Sequence, residues 1–259
     1  MKIRLIFFYG LNSIFKALFT FLSFYILTKY LGTKEYGYYA LILAIFYIFQ
    51  IHEPIIHFFL TPKINTFKSS IEIEDKNALT AAIIIQGIFS ILICTVILAL
   101  WLIKLYFDFF ENLIISPLAI FIIIVSTMLT SFSNTMHYAL SLKRNTIIHI
   151  WSDFSSVLLQ FIASYVAVIT IGKNDNILLI GWFFYNLTRF IILFIHFLSF
   201  YFDKKWELKK SFFEICQNYI LFFKNAINQS YTFIIRIIIT KSFGLETLGI
   251  YWHSQQYFN

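Results

Sequence analysis

Charged residues are scarce in this chain. Asp, Glu, Lys and Arg make up only 13% of its 259 residues, against roughly 25% in an ordinary soluble domain. Too few charges remain to solvate the outside of a globule, which excludes a soluble enzyme and a disordered chain alike. Cysteine is rarer still. Cys94 and Cys216 are the only two, and they form no C-x-x-C pair, which excludes a disulfide scaffold and a cysteine-ligated metal. Proline occurs three times and glycine eight, so long stretches run without a helix breaker. No phosphate-binding glycine loop, nucleophile elbow or carboxylate dyad occurs. His52-Glu53-Pro54-Ile55-Ile56-His57 looks like a zinc-protease motif. Its second histidine stands one residue late, and on a helix the two imidazoles diverge by about 140°. His137, His149, His196 and His253 are scattered, and the sequon Asn186-Leu187-Thr188 falls inside an apolar run. The expectation is therefore no catalytic residues, no metal, no cofactor and no nucleic-acid partner.

Apolar residues dominate instead. They form 59% of the chain, and aromatics form 21%, with 33 Phe, 16 Tyr and 5 Trp. Phe has no polar handle, so this aromatic load reads mainly as lipid-facing and packing surface, with Tyr and Trp as interfacial belts. A helix of about 20 apolar residues crosses the hydrocarbon layer. Seven such spans are expected near residues 5–30, 36–60, 79–103, 117–142, 146–171, 177–202 and 219–243, with an eighth starting near Thr247. The first is too long for the apolar core of a signal peptide and lacks a small-residue cleavage site, so it reads as an uncleaved span.

Loop charge sets orientation. With the N-terminus inside, eleven basic residues lie in the inner segments: Lys2, Arg4, Lys63, Lys68, Lys76, Lys143, Arg144, Lys204, Lys205, Lys209 and Lys210. Five lie in the outer segments and outer span ends: Lys29, Lys34, Lys104, Lys173 and Lys241. The excess favours an inward N-terminus. In residues 203–217, Trp206, Phe212, Phe213 and Cys216 share a helical face beside four lysines, the pattern of a helix lying in the inner headgroup region.

Residues 26–39 and 238–251 carry a gapless internal repeat, I-[LI]-T-K-x-[LF]-G-x4-G-x-Y. Gly32, Gly37 and Tyr39 recur as Gly244, Gly249 and Tyr251, at an offset of 212 residues. The first glycine of each copy is suited to ending a helix and the second to close helix approach. Six spans separate the copies, so both keep one orientation, as in two-lobed secondary transporters. The fold expected is an all-α polytopic membrane protein. It comprises a six-helix N-terminal lobe (1–202), a cytoplasmic interfacial linker (203–217) and the first one to two helices of a second lobe (218–259). Two repeats of that offset exceed the chain, so a truncated product is expected.

The run Tyr30-Leu31-Gly32-Thr33-Lys34-Glu35-Tyr36-Gly37-Tyr38-Tyr39 resembles the first outer loop of bacterial polysaccharide exporters. These are the Wzx-type O-antigen flippases of the multidrug/oligosaccharidyl-lipid/polysaccharide exporter superfamily. Residues 244–251 look like the signature opening the second lobe of that family. Arg236 stands where the family often has an Asp-Arg pair, with Ile235 replacing the acid. The resemblance implies a non-enzymatic flippase of the bacterial inner membrane with a cytoplasmic N-terminus. Its cargo would be an undecaprenyl-pyrophosphate-linked oligosaccharide, an O-antigen or capsule repeat unit. Membrane lipids and polysaccharide assembly proteins are the implied partners, and proton coupling is in keeping with it. The alternatives are a drug/cation antiporter or peptidoglycan-precursor flippase of the same superfamily, a membrane O-antigen polymerase or acyltransferase, and an inactive remnant.

Six ionisable residues fall inside the expected spans: Lys16, Glu53, Asp153, Arg189, Lys224 and Arg236. Each costs roughly 2.5–3.5 kcal/mol at a helix centre in lipid, so each should face protein or water. Lys16, Arg189, Lys224 and Arg236 are the candidates for binding the substrate pyrophosphate, since the guanidinium fork suits phosphate. Glu53, beside Pro54, and Asp153 are candidates for proton coupling or for ion pairs with those cations.

Overall fold

Long apolar runs with few breakers give long helices. The computed structural model describes residues 2–48, 50, 52–64, 73–106, 116–142, 146–171, 176–198, 213–215, 217 and 219–258. Its helices are α1 (Lys2–Leu31), α2 (Thr33–Ile48), α3 (Glu53–Leu60), α4 (Ile73–Tyr106), α5 (Pro117–Leu142), α6 (Thr146–Ile171), α7 (Ile177–Leu198) and α8 (Tyr219–Phe258). No strand occurs among the described residues. Among the described residues, four segments are long and apolar enough to cross a membrane: Asn77–Ala99, Pro117–Leu142, Ile147–Ile171 and Ile177–Phe197. The protein is thus all-α with candidate membrane-spanning helices. Most of the expected interfacial segment 203–217 lies outside the described residues. Within it, Phe213 is exposed, Ile215 is buried, and Glu214 pairs with Lys63.

The elements begin and end where local chemistry directs. Pro117 opens α5 at a position whose N–H needs no partner, and the Ser116 hydroxyl accepts the Ala119 N–H at 3.1 Å, a serine cap ahead of a proline start. The expected second span, 36–60, is corrected by the structure. It is two helices, α2 ending at Ile48 and α3 starting at Glu53. Pro54 lies in the first turn of α3, where it starts a helix rather than kinking one. Glu53 consequently sits at a helix N-terminus, whose dipole favours a carboxylate.

The described chain forms two compact units. The first gathers Met1–Ile45, Thr146–Ile192 and Tyr231–Asn259, and the second Phe46–Asn145 and Leu193–Ser230. In the second, α4 packs along α5, and α3 packs against both. Gly87 admits the Phe132 ring, whose edge carbon would stand 3.2 Å from a Cβ there. The buried face of α5 is rich in Ser and Thr, including Ser126, Thr127, Thr130, Ser131, Ser133 and Thr135. Small residues let helices approach closely. Thr127, Ser133 and Thr135 satisfy their hydroxyls on the carbonyls of Ile123, Leu129 and Ser131, so they need no partner on another helix.

In the first unit, α1 packs along α6. Phe15 and Phe19, one turn apart on α1, both meet Phe154 edge-on at 5.9 and 6.4 Å between centroids. Phe19 also meets Phe161 at 5.9 Å. Gly181 on α7 lies so close to Ser164 on α6 that a Cβ there would overlap the serine hydroxyl.

The two copies of the repeat meet in this unit. Gly32, between α1 and α2, has φ 105°, and Gly244, which breaks α8, has φ 84°. Both conformations favour glycine. A Cβ on Gly37 would overlap the carbonyl oxygen of Leu245, and a Cβ on Gly249 would overlap that of Thr33. Leu245 follows Thr33 by the same 212 residues that separate the glycines. Each copy therefore offers its glycine to the matching carbonyl of the other, as two surfaces related by a local two-fold do. The Thr33 hydroxyl also donates to Glu246 Oε1 at 3.3 Å.

This geometry separates the glycines by the cost of a side chain. Gly244 has nothing within 4 Å of a Cβ, so Gly244→Ala should cost only its backbone strain, about 1–3 kcal/mol. Gly37→Ala or Gly249→Ala must push backbone from backbone. Either should lower the melting temperature of the purified protein by clearly more than Gly244→Ala. Equal losses would show that residues 37 and 249 do not meet.

Candidate functional site

Three ionisable side chains expected within the membrane come together in the first unit. Asp153 lies about two turns into α6 and is buried. Lys16 reaches it from the middle of α1, donating from Nζ to Oδ2 at 3.3 Å. Arg189 reaches it from the middle of α7, with Nε 3.7 Å from Oδ1. The Phe15/Phe19 clasp on Phe154 holds the register that places Lys16 beside Asp153, and the Gly181–Ser164 contact holds α7 against α6. The result is one carboxylate with a different cation on each oxygen, contributed by three helices. The three formal charges sum to +1. The Asp153 and Arg189 side chains are each 12% exposed, whereas that of Lys16 is 45% exposed. His149, one turn before Asp153 on α6, lies in the electrostatic field of all three. In a medium of low dielectric such a cluster attracts anions strongly.

Arg236 is placed differently. It is 3% exposed, its Nη1 donates to the Ala40 carbonyl at 2.7 Å, and its guanidinium stacks over Trp252 at 4.0 Å. Trp252 is the repeat counterpart of Ala40, again 212 residues on. Arg236 thus ties matching positions of the two copies, a charge-assisted bond plus a cation–π contact. Lys224 is exposed on α8 and belongs to the second unit.

Glu53 also belongs to the second unit. Its Oε2 accepts the Asn134 amide at 2.7 Å. Beside it His52, 1% exposed, accepts from Gln86 Nε2 at 2.8 Å. His57 stacks on Tyr138 at 4.1 Å, and the Tyr138 hydroxyl is 2.6 Å from Thr61 Oγ1. This is a polar seam between α3, α4 and α5, buried at His52 and Gln86 and opening to the surface at Thr61. Asn134, Gln86, Tyr138, Ala40 and Trp252 were not among the residues picked out from sequence. For Asn134 and Gln86 a signal exists: an amide inside an apolar span faces protein, where it finds a partner. Ala40 acts through its backbone, which no side-chain pattern reveals.

No known protein family, curated protein or solved structure matches the chain. Fold and site together define a class: an all-α protein with candidate membrane-spanning helices, holding a carboxylate between two cations.

The two kinds of cation should respond differently to removal. Arg236→Ala leaves a carbonyl and an indole without their buried partner and should cost about 3 kcal/mol or more. Lys16→Ala removes one end of a half-exposed pair and should cost about 1 kcal/mol or less. Chemical or thermal unfolding of the two variants checks this order, and the reverse order would contradict the placement of Arg236.

Proposed function

We propose that the protein is a flippase, or the part of one, that moves an undecaprenyl-pyrophosphate-linked oligosaccharide across the bacterial inner membrane, with its N-terminus cytoplasmic. The observation that carries this reading is the Lys16–Asp153–Arg189 cluster, an excess of positive charge contributed by three apolar helices, with Arg189 and Asp153 largely buried and Lys16 half-exposed. An ionisable group inside a span is a functional candidate by default, and these three groups together keep a formal charge of +1. A cargo with a pyrophosphate carries the charge that such a positive site attracts. The resemblance of the repeat to the exporter signature supports the same reading. So does the reciprocal meeting of the two copies, which suits a two-lobed transporter built from parallel repeats.

A drug/cation antiporter of the same superfamily would need an excess of acid where this cluster has an excess of base. A polymerase would need catalytic groups in a large outer loop, and the sequence has none long enough. In this proposal Glu53, at the N-terminus of α3 and bonded to Asn134, serves proton coupling. Arg236 serves the architecture that lets two lobes meet.

The test is complementation. In a strain lacking its own O-antigen or capsule flippase, the wild-type chain should restore surface polysaccharide. Arg189→Ala should lower that restoration at least tenfold at equal membrane abundance, and Arg189→Lys should keep part of it. Full restoration by an Arg189→Ala protein that inserts normally would overturn the proposal.

A further inference from the structure

The cluster at Asp153 carries a second implication, resting on the proposed function for its cargo but not for its chemistry. We propose that Asp153 is a resident stand-in for the phosphate anion. It holds Lys16 and Arg189 until an incoming pyrophosphate group displaces it from both.

Asp153 engages its two cations as a bridging phosphate would, one oxygen to each. The fit, however, is loose. Charge-assisted N–H···O contacts settle at about 2.7–2.9 Å, whereas these stand at 3.3 and 3.7 Å. A carboxylate holds its two oxygens on one carbon and does not close on both cations at once. A pyrophosphate has oxygens on two phosphorus atoms and spans the gap more easily. Arg189 meets Asp153 Oδ1 through Nε at 3.7 Å, whereas the strongest Arg–oxyanion contacts are bidentate and shorter.

Charge points the same way. Lys16, Arg189 and Asp153 together keep a formal charge of +1, and a doubly charged pyrophosphate diester competes for the two cations more strongly than one carboxylate does. Exposure gives the order of events. Lys16 is the accessible member, at 45%, while Arg189 and Asp153 are each 12% exposed. An anion meets Lys16 first and gains Arg189 only as Asp153 yields. Asp153 then sets selectivity: an anion no stronger than a carboxylate gains nothing by displacing it. His149, one turn away on the same helix, stays within reach of the released carboxylate's field.

The experiment uses the full chain in lipid nanodiscs and inorganic pyrophosphate as the probe, with chloride and sulfate at matched ionic strength as controls. Melting temperature is read against pyrophosphate concentration for the wild type, Asp153→Asn and Lys16→Gln. Without anion, Asp153→Asn should melt below the wild type, because two cations then face each other. Pyrophosphate should restore it, with a half-saturating concentration at least about fivefold lower than for the wild type, the lower end of ordinary coupling between sites. Lys16→Gln should not respond. The proposal is overturned if pyrophosphate leaves Asp153→Asn destabilised, if its half-saturation equals that of the wild type, or if sulfate does as well. Should Asp153→Asn fail to accumulate, the other two proteins decide: a silent wild type, or a Lys16→Gln that responds like it, overturns the proposal. The outcome is separable from that of the flippase reading. A pyrophosphate response as expected, with surface polysaccharide intact in Arg189→Ala, keeps the anion site and removes the lipid-linked cargo. Lost polysaccharide without a pyrophosphate response removes the stand-in alone.

Discussion

Two helix ends that meet backbone to backbone leave no room for a Cβ on either, and in this chain that happens at Gly37 and Gly249. Each glycine lies against a carbonyl from the other copy of the repeat, Leu245 for one and Thr33 for the other. In an apolar bundle there is no hydrophobic effect to draw helices together, so close packing between small residues has to do so. Positive φ at Gly32 and Gly244 supplies the turns that bring α2 and the last part of α8 into that contact. Arg236 then fastens it, from the Ala40 carbonyl on one side to Trp252 on the other. Residues that looked in sequence like a turn signature and a cavity cation are parts of one joint.

The second constraint is electrostatic. Burial takes water from a charge, so Asp153 and Arg189, each 12% exposed, depend on charged neighbours. Bridging two cations with one carboxylate reduces the cost of all three without removing the positive field. A pair closed to neutrality would have no further affinity for an anion, and two bare cations would not be tolerated. The bridged state lies between, with a formal charge of +1 on the three groups. Separately, Glu53 has the positive end of α3 and the Asn134 amide to stabilise it.

Much of the helical layout was legible in sequence because local chemistry marks it. Helix α5 runs from Pro117 to Leu142 and α6 from Thr146 to Ile171, as expected from a proline start, a Lys-Arg loop and unbroken apolar runs. The gap between Ile48 and Glu53 was not legible. Gln50, His52 and Glu53 interrupt the apolar run without a turn residue among them, and Pro54 reads equally as a kink inside one helix or the first turn of a new one. The repeat was visible as identities, but which backbone atom each glycine would meet depends on how two helices cross. For the site, sequence placed Lys16, Asp153 and Arg189 inside spans and left open whether they bind or pair. Azimuth decided their meeting: Phe15 and Phe19 turn α1 so that Lys16 faces α6. Nothing in the local sequence of Arg236 distinguishes a cation facing a cavity from one stacked on an indole sixteen residues away.

The reciprocal joint between the two repeats is tested most directly by a distance across it. In a background lacking Cys94 and Cys216, cysteines at Thr33 and Glu246, whose side-chain oxygens stand 3.3 Å apart, are treated in membranes with a short bifunctional methanethiosulfonate reagent. Intramolecular bridging in high yield, seen by mass spectrometry of the proteolysed protein, is the result expected. Efficient labelling of each cysteine alone with no bridge between them would contradict it.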